Sequence, residues 1–405
     1  MHKAELLAPC GNFDCVRAAV NNGADAVYLG GKNFSARAFA NNFDEEELLK
    51  AIEFAHLHDI RVFVTLNTLL TEKELEKAKK MAAFYYENHV DALLIQDLGL
   101  YDYLKQTYPD FELHCSTQMH VHNLQGVKNA IKLGFKRVVL ARESDLNLIK
   151  EACKEAIEIE TFVHGAICVS YSGQCLMSSS VKNRSANKGM CAQCCRLKYA
   201  LLDDEGNHIP TNTDYLLSPK DMFLLNDVPA LMDAGVSSLK IEGRMKSPAY
   251  VAYVTRMYRT AIDEYAKGTC FMPSDEQMDH LKVLFNRNFT NDLLYGHHDL
   301  FEQKTPNHLG IAIGKTLYAR NGYLYFRLEK SLSQFDGIRI GDFGCIVNRL
   351  YVDGKLVNKA LAGSVAAIEC KDHLNGILYK TQDYLLEEEL NKTPEKKMSL
   401  SMKVS

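Results

Sequence analysis

Five of the twelve cysteines in this 405-residue chain fall between Glu160 and Tyr199, at Cys168, Cys175, Cys191, Cys194 and Cys195. From Thr161 to Leu202 there is no Asp or Glu, while Lys182, Arg184, Lys188, Arg196 and Lys198 are all basic. Soft sulfur donors and positive charge therefore share one stretch. The amino terminus, MHKAELLAPCGN, has no apolar signal-peptide core, which predicts a cytoplasmic protein in which disulfides gain little. Clustered thiols then read as ligands to a metal or an iron-sulfur cluster, or as redox groups. Cys168 and Cys175 are seven apart and Cys191 and Cys195 four apart. That irregular spacing suits loops wrapped around a four-iron four-sulfur (4Fe-4S) cluster better than the CxxC knuckles of a structural zinc site. Zinc is the second expectation, and incidental buried cysteines the bland one.

A second group is ionic. Lys240, Glu242, Arg244 and Lys246 place three cations and one carboxylate within seven residues, where a carboxylate or phosphate could be held, Arg244 gripping it bidentately. Glu242 could orient Arg244 or transfer protons; a surface ion pair at the start of a helix is the bland alternative. His164, four residues before Cys168, is the other proton-transfer candidate. It could also serve as the base for a Cys168 or Cys175 nucleophile, which makes a cysteine-dependent peptidase the competing chemistry.

Eight short apolar runs must position these groups: Glu5 to Ala8, Ala26 to Leu29, Val62 to Leu66, Ala92 to Ile95, Leu113 to Cys115, Arg137 to Leu140, Ile159 to Val163 and Ser238 to Ile241. Between them lie helical patterns such as Asp44 to His58 and Glu72 to Asn88, the rhythm of βα units. This predicts a (β/α)8 TIM-like barrel over residues 1–300, with an incomplete or distorted barrel as runner-up. Residues after each strand then face one mouth. These are Pro9, Cys10 and Gly11; Gly30 and Gly31; Asn67; Gln96 and Asp97; Ser116, Thr117 and Gln118; Arg142 and Glu143; His164; and Glu242, Gly243 and Arg244. Asp97 and Gln118 join Lys240, Arg244 and Lys246 as substrate-binding candidates. The cysteine stretch belongs to an insertion over residues 164–236, far longer than a βα connection needs. From about Thr305 the pattern turns to short antiparallel strands, at His308 to Lys315, Tyr323 to Leu328, Gly337 to Ile340, Cys345 to Val352 and Lys355 to Asn358, with Asp353-Gly354 as a hairpin turn. A small β-barrel over 301–385 follows, then a charged tail, 386–405, that is expected to fray.

The net charge of -4 and pI near 6.4 argue against a general polyanion coat, so nucleic acid would be met locally and by shape. No run approaches the length of a membrane span. The chain lacks a His-Glu-x-x-His zinc-protease motif, a Gly-x-Ser-x-Gly elbow and the Cys-x-x-x-Cys-x-x-Cys of radical S-adenosylmethionine enzymes. Gly310-Ile-Ala-Ile-Gly314-Lys-Thr is one residue short of a phosphate loop, and His120/His122 and His297-His298 read as ordinary polar loops.

These residues also carry a resemblance. Glu160-x-Phe162-x-x-Gly165-Ala166-Ile167-Cys168, then four residues, then Gly173-x-Cys175-x-Met177-Ser178, resembles the signature of the collagenase-like peptidase family U32 at every fixed position. Leu217-Ser-Pro-Lys-Asp221 and Ser238-Leu-Lys-Ile-Glu-Gly-Arg-Met-Lys-Ser-Pro248 are similar to it as well. The resemblance implies oxygen-independent hydroxylation of tRNA or rRNA, closest to the branch that 5-hydroxylates the wobble uridine of tRNA with prephenate as oxygen source. It implies a 4Fe-4S cluster on Cys168, Cys175, Cys191 and Cys195, the last matching Cys-x-x-x-Cys-Arg. Cys194, Cys10 and Cys115 stand as alternatives for the fourth ligand. A small dicarboxylate co-substrate, RNA and a homologous partner subunit are the implied partners. The family name keeps a peptidase as the alternative, and an RNA-binding or assembly factor with a structural cluster is the third reading.

Overall fold

The computed structural model describes residues 3–37, 40–297, 299–302 and 305–392. The described residues divide into two compact units, one within 3–272 and 289–302, the other of residues 273–288 and 305–392.

The first unit is a closed barrel of eight parallel strands: β1 Glu5–Pro9, β2 Ala26–Leu29, β3 Arg61–Leu66, β4 Ala92–Ile95, β5 Glu112–Cys115, β6 Arg137–Val139, β7 Glu158–Ala166 and β8 Ser238–Ile241. Each strand pairs with the next, and β8 pairs in parallel with both β7 and β1, which closes the ring. Near-continuous burial of strands such as Ala26–Leu29 and Ala92–Ile95 follows from being covered on both faces. The helices begin where side-chain caps satisfy free peptide N–H groups. Asn12 caps α1, Phe13–Asn21, by accepting from the Cys15 N–H; Asp44 and Glu47 form a reciprocal capping box on α2, Glu45–His56, and Thr71 with Glu74 one on α3, Glu72–Glu87. After β8, Ser247 caps α4, Pro248–Ala266, whose Pro248 sits in the first turn where its missing N–H costs nothing.

Ion pairs fill the barrel interior below the mouth. Arg137, 2% exposed, binds Glu5 at 2.6 Å, Glu158 at 2.7 Å and Glu160 at 3.0 Å, and Lys240 binds the other Glu160 oxygen at 2.7 Å. Burial alone would raise the Glu160 pKa, but Lys240 and Arg137 hold it at about 2. Apolar periodicity gives no sign of this layer, because its charges face inward from strands that otherwise read as hydrophobic.

Residues 167–237 run between β7 and β8. They contain the helix Met177–Lys182, a hairpin pairing 201–202 with 208–209, and a strand, Asp221–Phe223, that runs antiparallel to the end of β7.

The second unit is an antiparallel, barrel-like sheet. Its strands are β9 Ile311–Arg320, β10 Tyr323–Leu328, β11 Gly337–Ile340, β12 Phe343–Ile346, β13 Leu350–Val352, β14 Lys355–Val357, β15 Val365–Glu369 and β16 Ile377–Gln382, in the order β12-β11-β16-β9-β10-β15-β13-β14. Ile313, Leu324, Phe326, Ile338, Leu350 and Leu378 anchor its core. Three expectations are corrected here. The run Cys345 to Val352 is two strands. β15 and β16 were not anticipated, since Ala366 and Ala367 give β15 little pattern, and Lys380 breaks the alternation of β16 by pointing inward to Asp336 at 3.0 Å. Residues Tyr384–Asn391 form a helix rather than a frayed tail, capped by Asp383 and seated on Leu386 and Leu390. The remainder of that tail, from 393, and His298 lie outside the described residues.

Candidate active site

The strand ends of β2, β3, β5, β6, β7 and β8 converge on a cleft of about 420 Å³, its open mouth included. Tyr28, Arg37, Thr65, Asn67, Gln118, Arg142, Phe162, Lys240, Glu242 and Arg244 line it. Glu242 stands at its centre, its peptide N–H held by the His164 carbonyl at 2.8 Å. One carboxylate oxygen accepts from Arg37 Nη2 at 3.1 Å and the other from Arg142 Nη2 at 2.9 Å. Arg142 in turn lies 3.9 Å over the Phe162 ring. Burial pushes the Glu242 pKa up, but Arg37 and Arg142 outweigh it and hold the group below the usual carboxylate range. Glu242 is therefore a clamped anion that orients two guanidinium groups.

Arg244, 4% exposed, donates to Ser35 Oγ at 2.6 Å and Thr65 Oγ1 at 3.2 Å, and also to Asn42 Oδ1. These acceptors are neutral, and among the described residues its buried Nε has no hydrogen-bond partner. Desolvation lowers its pKa to about 10, so it remains cationic. Gly30 makes room for it: a Cβ there would stand 2.3 Å from Arg244 Nη2. Gly165, at φ +105°, does the same for Glu242, whose carbonyl would be 2.6 Å from an added Cβ. Lys240 closes the floor, bonded to Glu160 and lying 4.4 Å over the Tyr28 ring. With one cation assigned to Glu160 and one to Glu242, two of the four cations Arg37, Arg142, Lys240 and Arg244 are uncompensated.

The cysteine-rich insertion folds over this mouth. Ser172 donates its N–H at 2.7 Å and its hydroxyl to Glu143, and its oxygen accepts from the Arg142 N–H at 3.1 Å. Gln174 donates to the Gln118 carbonyl at 3.2 Å, and Lys188 pairs with Glu74. The Cys168 thiol lies within electrostatic reach of Arg37 and Arg142, and Cys195 within reach of Cys168, Cys191 and Cys175. Burial, reinforced by those three sulfurs, raises the Cys195 pKa to about 11. The peptide N–H groups of Ser170 and Gly173 draw the Cys168 pKa down against the larger effect of burial, and that of Gln193 donates to Cys191 Sγ at 3.3 Å. Such donors suit sulfurs that carry negative charge. Cys168, Cys175, Cys191 and Cys195 are the residues that would hold a cluster, Cys195 being within electrostatic reach of the other three. Among the described residues, no three or more His, Cys, Asp or Glu side chains stand at the mutual spacing of a closed metal shell. Of the alternatives, Cys10 is buried beside Cys15 and Arg244, and Cys115 packs on Met119 Sδ at 3.4 Å.

Of the residues singled out in the sequence, Lys240, Glu242, Arg244 and Gln118 share the cleft, and three do not. Asp97 spends both carboxylate oxygens on the N–H groups of Leu100 and Leu70, capping the helix after β4. Lys246 lies 6.0 Å from the Tyr250 ring, on the α4 side. His164 is 1% exposed and enclosed by Phe223, Tyr250, Tyr258 and Phe289, with ring centroids 5.7–5.9 Å away. Desolvation lowers its pKa to about 4. A register shift between β7 and β8 turns it away from the lumen: Phe162 pairs with Lys240, yet the next β8 residue, Ile241, pairs with His164. Arg37 and Phe162 were missed. Arg37 lies in an irregular loop after β2, and Phe162 lies inside a strand.

The model of Peptidase family U32 matches residues 11–304. Over 84% of its length the chain is 37% identical to the 23S rRNA 5-hydroxycytidine C2501 synthase of Escherichia coli (strain K12); the match covers 52% of that protein, so the chain spans about half its length. It is 35% identical to tRNA hydroxylation protein P1 of Bacillus subtilis (strain 168), covering 76% of this chain and 74% of that one. It is also 31% identical to a protein named collagenase from Porphyromonas gingivalis (strain ATCC BAA-308 / W83), covering 80% and 83%. With the family model matching residues 11–304 and the first two of these relatives at 35–37% identity over 76–84% of the chain, this protein is a member of peptidase family U32.

Proposed function

We propose that the protein is an RNA base hydroxylase, acting on tRNA or rRNA in the cytoplasm, with the wobble uridine of tRNA as the favoured target. The carrying observation is the juxtaposition of four neighbouring thiols with a cation-rich cleft at one barrel mouth. Relatives named for rRNA and tRNA hydroxylation support the substrate class. Cys168, Cys175, Cys191 and Cys195 would hold a 4Fe-4S cluster, which supplies one-electron chemistry when bound. The residues of the chain then have distinct tasks. Glu242 fixes Arg37 and Arg142; Arg244 Nε offers an unspent donor; and the two excess positive charges suit a dicarboxylate such as prephenate as oxygen source. Tyr28 and Phe162 give the cleft flat apolar walls.

A peptidase is the less favoured reading, supported by the collagenase relative. Burial raises the Cys168 pKa, where a nucleophile needs the opposite, and His164 is walled in by aromatic rings. Anaerobic purification separates the two. Wild-type protein is expected to carry iron and acid-labile sulfide that Cys195→Ser largely loses. A colourless wild-type protein that cleaves collagen peptides and is stopped by thiol alkylation would reverse the choice. The dicarboxylate assignment is tested by calorimetric titration with prephenate. Arg244→Lys, unable to reach Ser35, Thr65 and Asn42 together, should weaken binding by about tenfold or more, and unchanged affinity would remove Arg244 from the site.

A further inference from the structure

The outer face of the second unit carries an arrangement that its own stability does not explain. Tyr318 on β9 pairs across to Tyr325 on β10, Tyr325 to Ala367 on β15, and Ala367 to Tyr351 on β13. Three tyrosines thus form one row over four strands, with a small residue between the second and the third. The Tyr318 and Tyr325 rings stack with centroids 4.6 Å apart, and Tyr318 is 52% exposed at a register shift that pushes it outward. The same face presents Lys315 opposite Arg327 on one side of the row and Arg320 on the other. These three cations are exposed and, among the described residues, form no ion pair. Cross-strand tyrosine pairs alone would serve the sheet. Tyr325 and Tyr351 are half-buried, and the Tyr351 hydroxyl donates to Glu369 at 3.0 Å, a carboxylate that Arg349 pairs at 3.2 Å. The cations Lys315, Arg320 and Arg327, flanking a row that opens to solvent at Tyr318, serve an anionic, flat-faced ligand.

We infer that this face is a platform for single-stranded RNA, on which bases stack against Tyr318, Tyr325 and Tyr351 while Lys315, Arg320 and Arg327 meet the phosphates. The inference rests on the reading of RNA as substrate and adds where the unpaired strand is gripped. A duplex would hide its base faces and leave the tyrosines without partners, so the platform selects loops and ends.

The test is fluorescence anisotropy with the full-length protein and a labelled, mixed-sequence RNA of about 12 nucleotides, single-stranded or annealed to its complement. Tyr318→Ala and Tyr325→Ala should each weaken single-strand binding by about tenfold, while the Phe variants, which keep the ring, bind as wild type. Lys315→Gln with Arg327→Gln should flatten the slope of log affinity against log salt by about 1.4, as expected for two lost phosphate contacts on a single strand. Ala variants with wild-type affinity, an unchanged salt slope, or tighter binding of the duplex would overturn the platform. Binding is read without chemistry, so such a failure leaves the hydroxylase reading standing. Full RNA modification in a deletion strain would sink that reading while leaving tyrosine-dependent binding intact.

Discussion

At the level of single residues, neighbours decide what a side chain can do more than its type. Glu242 has the chemistry of an acid/base catalyst, but two guanidinium groups fix it as an anion, and its work is to aim them. His164 directly follows the apolar run Ile159 to Val163, as a catalytic histidine should, yet it lies inside β7, where the β7–β8 register shift turns it into an aromatic box. Its lowered pKa has a measurable cost. Between its folded value of about 4 and the ordinary 6.5, the unfolded chain binds a proton that the folded chain excludes. The contribution is therefore complete above pH 6.5 and is lost, by about 3 kcal/mol, as pH falls to 4. His164→Phe should flatten the denaturant-stability profile over that window by about one proton. A slope equal to wild type would show that His164 is not buried as a neutral ring. Lys240, Arg244 and Gln118 were legible because each lies in or directly after an apolar run. Arg37 was not, because no periodicity marks an irregular loop, and Arg244's neutral cradle of Ser35, Asn42 and Thr65 is assembled from distant segments.

At the level of elements, the eight barrel strands were readable because burial on both faces leaves continuous apolar runs, and the boundaries differ from expectation by a few residues at most. The elements that went unread are those whose stabilising contacts are polar or short. Lys380 points inward from β16, and Asp221–Phe223 has only three residues and a buried Asp at its start. The insertion is held to the mouth in the same polar way. Ser172 is fully buried in left-handed backbone, at φ 34°, and its hydroxyl bridges Glu143 and the Arg142 N–H. Removing that hydroxyl costs about 1–2 kcal/mol, and locally, because the barrel strands make no use of it. Ser172→Ala is thus expected to lose at least half its iron after anaerobic gel filtration, with the melting temperature little changed. Iron retained at the wild-type level would mean that the Cys168–Cys175 loop is positioned by something else.

At the level of the molecule, the barrel offers a cation-rich cleft under a thiol-bearing cover, and the second unit offers an aromatic and basic sheet face. No helix among the described residues is long and apolar enough to cross a membrane. The overall charge of -4 gives the chain no general attraction to a polyanion, so on the proposed reading RNA recognition falls to these local surfaces. The most direct test is nucleoside mass spectrometry of tRNA and rRNA from a strain lacking this protein, complemented with wild type or with Cys195→Ser. One pyrimidine nucleoside heavier by a single oxygen should vanish in the deletion, return with wild type and stay absent with the serine variant. Hydroxylated pyrimidines at undiminished levels in the deletion strain, or full restoration by Cys195→Ser, would contradict an RNA hydroxylase built on these thiols.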